Sequence, residues 1–169
     1  MAEADGVFLF IGTYPSEAAA RVDYDVVKEL HSAGAVGTYD AGVVTKDDKG
    51  KVHVNKDEMA TRHGGWGGAA AGAVVGLLFP PAVIGTALVG GAIGAASGHL
   101  SRGISRSDVK ELGDIIDEGQ AALLVIGETT IQKAIDKAEL KAEKRVAKEL
   151  DVKASDVDAA IKGAAGEVS

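Results

Sequence analysis

Four histidines and two acidic pairs are the residues of this chain whose chemistry could extend beyond packing. His31 lies where a helix is predicted to end, and a partly positive ring suits the negative end of the helix dipole. His53 alternates with Val52 and Val54, which puts it on the polar side of a hairpin strand. His63 and His99 flank a long uncharged segment. If that segment doubles back, both reach one neck beside Asp57, Glu58, Arg62 and Arg102. Two imidazoles with two carboxylates would suit a divalent metal. No H-x-x-x-H pair supports such a set, so interfacial anchors or solvated caps fit the spacing better, and no cofactor is implied. Asp47-Asp48 and Asp57-Glu58 fit turn and solubility charges better than paired catalytic acids. "GGWGGAAAG" lacks the lysine of a phosphate loop, and neither a dinucleotide fingerprint nor a nucleophile elbow occurs. With no catalytic residue in view, the expected role is non-enzymatic.

Composition narrows the classes further. The net charge of −7 argues against nucleic acid as a partner, because phosphate binding needs a basic footprint. The chain has 0 cysteines, which removes disulfides, thiolate metal sites and cysteine nucleophiles together. "MAEADGVFLFIG" places acids before its apolar run and lacks a basic n-region, so it does not read as a secretory signal. The expected location is the cytoplasm or the cytoplasmic face of the inner membrane.

The elements that position these residues can be read from pattern. "VFLFIG" (7–12) is a buried strand. Thr13 to Pro15 opens a helix over Glu17–Ser32, with Ala18, Val22, Val26 and Leu30 on one face and Ala19 and Val27 beside them. "AVGTYDAGVVTK" and "KVHVN" form a hairpin around "DDKG". Ser105 and Ser107 cap a helix carrying Val109, Leu112, Ile115 and Ile116, and "AALLVIG" (121–127) is a second buried strand. Residues 129–150 are predicted as one long charged helix along Ile131, Ile135, Ala138, Ala142, Val146 and Leu150, followed by a short helix capped by Ser155. The order β-α-β-β-[insert]-α-β is that of an α+β, ferredoxin-like βαββαβ sandwich. The expected division is 1–58 and 104–128 as the two halves of that domain, 62–102 as the insert, and 129–169 as C-terminal charged helices.

The insert is the unusual part. Gly64 to Gly98 spans 35 residues with 11 glycines and no charge, too apolar for a linker and too rich in glycine for an ordinary core helix. Gly64, Gly68, Gly72 and Gly76 recur every four residues, and so do Gly90, Gly94 and Gly98. Such small-residue stripes let helix backbones approach closely. Pro80-Pro81 cannot continue a helix, so the two arms are predicted to fold into an antiparallel glycine-zipper hairpin. Its arms have no polar face, and a small two-layer domain cannot wrap them while covering its own sheet. Something outside the chain should therefore cover them. A bilayer is one candidate, with Trp66, Arg62 and Arg102 as interfacial anchors. Each arm supplies roughly 24 Å of helix against about 30 Å of hydrocarbon, so a full span is short. A shared core of hairpins in a soluble homo-oligomer is the other.

These segments together resemble the bacterial family known as domain of unknown function 1269, whose members carry descriptions as predicted membrane or stress-related proteins. The resemblance rests on "SEAAARVDYDVVKEL", "DAGVVTKDDKGKVHVNK", the glycine-rich "GGWGGAAAGAVVGLLFPPAVIG" and "DVKELGDIIDEGQAALLVIGE", and covers residues 7–135. It implies no known chemistry, hence no site residue. The leading expectation is a self-associating, membrane-associated protein without enzymatic activity. The alternative is a soluble homo-oligomeric scaffold or stress protein with the hairpins as its core. The third is a metal- or ligand-binding protein using the neck histidines.

Overall fold

Val7 to Tyr14 is buried at every position. Side chains alternate across a strand, so a strand buried throughout must lie inside a sheet covered on both faces. The computed structural model describes residues 6–34, 39–54, 69–79, 81–84, 96–98, 100–118 and 121–168, and its elements meet that requirement. In chain order they are β1 (Gly6–Tyr14), α1 (Glu17–Ser32), β2 (Tyr39–Lys46), β3 (Val52–Val54), α2 (Ala69–Leu78), α3 (Arg106–Glu118), β4 (Ala121–Glu128), α4 (Ile131–Ala138), β5 (Lys144–Lys153) and α5 (Ala154–Val168). A 3-10 turn, Pro81–Val83, follows α2. The sheet has five strands in the order β3-β2-β4-β1-β5, and every pairing between these strands is antiparallel. The chain is thus a mixed α+β fold.

Each face has its own core. Phe8, Phe10 and Tyr14 of β1, with Ala41, Val43, Leu123 and Val125, pack with Tyr24 and Val27 of α1 and Ile131 and Ile135 of α4. Val7, Leu9 and Ile11, with Leu124 and Ile126, face the opposite way and pack with Ala70, Val74 and Leu78 of α2, Leu112 and Ile116 of α3, and Val157 and Ile161 of α5. The predicted outside cover is therefore not needed for the described part of the insert. Ala70, Ala71, Ala73, Val74 and Val75 are all fully buried within their own chain. A two-layer sandwich would leave one sheet face bare; here α2 supplies part of the third layer.

Local chemistry explains most boundaries. The helix forms over Glu17–Ser32 as read, but Thr13 and Tyr14 belong to β1, and the helix is opened by Ser16, whose Oγ accepts the Ala19 N–H at 3.1 Å. The buried stripe of α1 is centred on Ala20, Asp23, Tyr24 and Val27, not on Val22, which is 54% exposed. Tyr24 is the bulkier group, and its face is also the one that carries Asp23. Ser105 caps α3 as expected: its Oγ accepts the Asp108 N–H at 3.1 Å, and Asp108 Oδ2 accepts the Ser105 N–H at 3.2 Å.

The single helix expected over 129–150 is replaced by α4 and β5. The helix stops at Glu139, which takes the left-handed conformation with φ 52°. Beyond it, Val146, Leu150 and Val152 alternate with exposed residues, and they fit the period of a strand as well as Ala142, Val146 and Leu150 fit that of a helix. The unpaired edge of β1 decides between the two, since β5 satisfies a full row of backbone groups there.

The approach to β5 requires a glycine at position 12. A Cβ there would lie 2.7 Å from the Ala142 Cβ and 3.0 Å from the Phe10 ring. Gly76, by contrast, faces open space. Urea unfolding should show Gly12→Val losing about 1–3 kcal/mol through overpacking. Gly76→Ala should gain up to about 1 kcal/mol from helix propensity.

Candidate functional site

Two buried acids organise the fold around this sheet. Asp40 lies on β2, fully buried, on the face occupied by α2. Its Oδ2 accepts the backbone N–H of Ala71 in the first turn of α2 at 3.0 Å. A helix leaves its first N–H groups without internal partners, and its N-terminus favours negative charge. The strand thus caps the glycine-rich helix and fixes its seat on the sheet. On the other face, Asp23 Oδ2 accepts the Tyr14 hydroxyl at 2.6 Å and the Lys141 backbone N–H at 2.6 Å. That acid joins β1, α1 and the loop leading to β5. The same loop receives the Arg145 guanidinium, which donates to the Leu140 carbonyl at 2.6 Å.

Electrostatics follow from these contacts. Burial, then the hydrogen bond to Asp23, raises the Tyr14 phenol well above its ordinary range. Burial and the neighbouring Asp40 push Tyr39 up to about 12. At the β2–β3 turn, Asp47 is held down at about 2 by His53 and by the Lys51 and Lys49 N–H groups. The His53 Nε2 to Asp47 Oδ2 distance is 2.9 Å, on the surface. On the α3 side, Lys148 of β5 pairs with Glu111 at 2.9 Å and Asp108 at 3.1 Å. These hydrogen bonds raise the ammonium and lower the Asp108 carboxyl.

Most of the residues expected to form a site fall outside the described ones. Gly64, Gly68, Gly90, Gly94, Pro80, Trp66, Arg62, His63, His99, Asp57 and Glu58 lie outside the described residues. Among the described residues, no group of three His, Cys, Asp or Glu side chains is placed to hold a metal. Arg102 is exposed in the turn before α3, and Pro81 opens the 3-10 turn. Gly72 is buried in α2, but Gly76 and Gly98 have no atom within 4 Å of where a Cβ would stand. The glycine-zipper reading is corrected accordingly: α2 packs through alanine and valine side chains, and those two glycines make no close backbone approach. The membrane reading is corrected too. Among the described residues no helix is long and apolar enough to cross a membrane, and α2 has 10 residues, about 15 Å.

Sequence reasoning missed Asp23 and Asp40. Both carried a signal: an acid inside the otherwise apolar "TYDAGVV" strand, and an acid between Val22 and Tyr24 in the apolar stretch of α1. A buried acid must be hydrogen-bonded, and each of these is.

A five-stranded antiparallel sheet with helices on both faces, pinned by two buried acids, defines an α+β domain whose glycine-rich segment contributes an internal layer. Residues 65–161, more than half of the chain, match the family described as protein of unknown function DUF1269, and the chain belongs to that family. No curated protein and no solved structure matches it. The match begins in the insert, so it does not cover residues 7–64 of the expected resemblance, and it runs through β5 into α5, taking in the charged tail as far as residue 161. The family's description gives no membrane or stress role.

Asp40→Ala should lower stability by about 1–2 kcal/mol in chemical unfolding, the cost of a lost N-terminal cap. The tyrosines set an alkaline limit. A phenol whose pKa is raised by folding contributes stability in full below its unfolded value of 10, and that contribution is lost as pH rises through the folded value. Stability should fall as pH goes from 10 to about 12, and Tyr39→Phe should flatten the decline.

Proposed function

We propose that this chain is a soluble, non-enzymatic protein that acts by self-association, as a homo-oligomeric scaffold. In place of the halves 1–58 and 104–128 expected from the sequence, this reading builds a ferredoxin-like core from β2-β4-β1-β5 beneath α1 and α4, with β3 as an added edge strand and α3 on the opposite face. The glycine-rich segment then serves as an inner layer of each subunit, in place of the shared core between subunits that its composition suggests. The burial of the apolar face of α2 within its own chain supports this assignment.

The observation that carries self-association is β5. It is a 10-residue strand at the end of the sheet, and among the described residues no strand pairs with its outer edge. A long open edge is a ready template for another strand, because its backbone N–H and C=O groups seek partners. The acidic net charge is consistent with a protein partner in preference to a polyanion. Sedimentation equilibrium of the full chain should give a mass at a whole multiple of 17.1 kDa, two or greater. A single subunit mass across the accessible concentration range would end the proposal.

A further inference from the structure

Resting on that reading, we propose that the partner is a second copy joined through β5, in an antiparallel register centred on Ala147. The regular part of the edge is short and well defined. β5 pairs with β1 in steady register from Lys144 to Leu150, and then the register shifts between Val7 and Gly6. Just past that point a Cβ on Gly103 would lie 3.0 Å from the Asp151 backbone nitrogen, so the turn before α3 bounds the open stretch. Residues 144–150 are the part that can accept a new strand.

Their two faces differ. Arg145, Ala147 and Glu149 stand opposite Gly12, Phe10 and Phe8, which puts them on the α1 and α4 face. All three are exposed, so among the described residues no helix covers that face over β5. Val146, Lys148 and Leu150 turn to the other face, where Leu150 is buried and Lys148 is paired to α3.

A two-fold axis normal to the sheet pairs strands so that residues sharing a face stand opposite each other. Centred on Ala147, the register sets Arg145 against Glu149 of the second copy, and Glu149 against its Arg145. The small Ala147 side chains meet at the axis. On the other face Val146 meets Lys148, and Lys144 meets Leu150. Within 144–150 no like charges face each other; Glu143 and Asp151 oppose one another only beyond that stretch. Every neighbouring register brings like charges together. Centring on Arg145, Lys148 or Glu149 opposes each to itself, and centring on Val146 opposes Lys144 to Lys148. Like charges directly opposite destabilise a ladder, whereas opposite charges support it. The edge is therefore self-complementary in one register, and Glu149 has no ion pair within the chain among the described residues to compete for it.

Charge reversal tests this. Sedimentation of full-length Glu149→Arg should show dimer affinity weakened by roughly tenfold or more, since both cross-axis pairs become repulsive. Arg145→Glu should do the same, although it also removes the bond to Leu140. The double variant Arg145→Glu, Glu149→Arg should return the affinity to within about threefold of the parent. Circular dichroism on each variant separates unfolding from dissociation, and Glu149→Arg alone touches no described internal contact. An oligomer that ignores Glu149→Arg overturns the register and leaves the scaffold reading standing. A parent that is never an oligomer removes both.

Discussion

Burial of β1 on both faces is the constraint on which the rest of the structure depends. It is flanked by β4 and β5, and its side chains point alternately into two separate cores. Neither core can form from the sheet alone. The first needs α1 and α4; the second needs α2, α3 and α5. The glycine-rich insert thereby acquires a plain physical role. Small side chains let α2 lie close on the strands, and its alanines and valines close a face that would otherwise be wet. Removing apolar surface from water gains about 25 cal/mol per Å², which is sufficient reason for that docking.

The acids show how such a layer is held in place. An apolar helix on an apolar sheet has little to fix its position, because hydrophobic contact is non-directional. Asp40 supplies direction, since a carboxylate reaching the first turn of α2 accepts from one particular N–H. Asp23 does the same for the loop ahead of β5, with Tyr14 as second donor. Lys148 adds a surface tie between β5 and α3. Polar contacts of this kind contribute modestly to net stability but specify one arrangement among many packings of similar apolar area.

Much of this was legible in the sequence where a single period applied. The apolar run of β1, the hairpin at Asp47–Gly50, and Leu112, Ile115 and Ile116 of α3 admit one reading each, and each forms as read. Where two periods coincide, the chain itself is ambiguous. Val146 and Leu150 are four apart, which suits a helix, and also an even number apart, which suits a strand; only the open edge of β1 resolves them. Glycine spacing misled for a related reason. Intervals of four mark a face, but they do not say whether that face meets a backbone or empty space, and Gly76 meets empty space. The buried acids were visible as residues out of pattern, yet their partners lie across the fold, where no local spacing points.

The place of β1 in the sheet also sets an order of events. The first strand of the chain bonds on both sides to strands made last, with Val7 opposite Glu128 and Gly6 opposite Lys153. Its most apolar residues must therefore wait until β4 and β5 have been synthesised before they find their partners. Such distant pairing slows closure and leaves sticky surface waiting. During that interval α1 is the helix at hand to shelter Phe8 and Phe10. Until β5 is made β1 thus presents an open template, and the pairing that completes the sheet is also the step that ends this vulnerability.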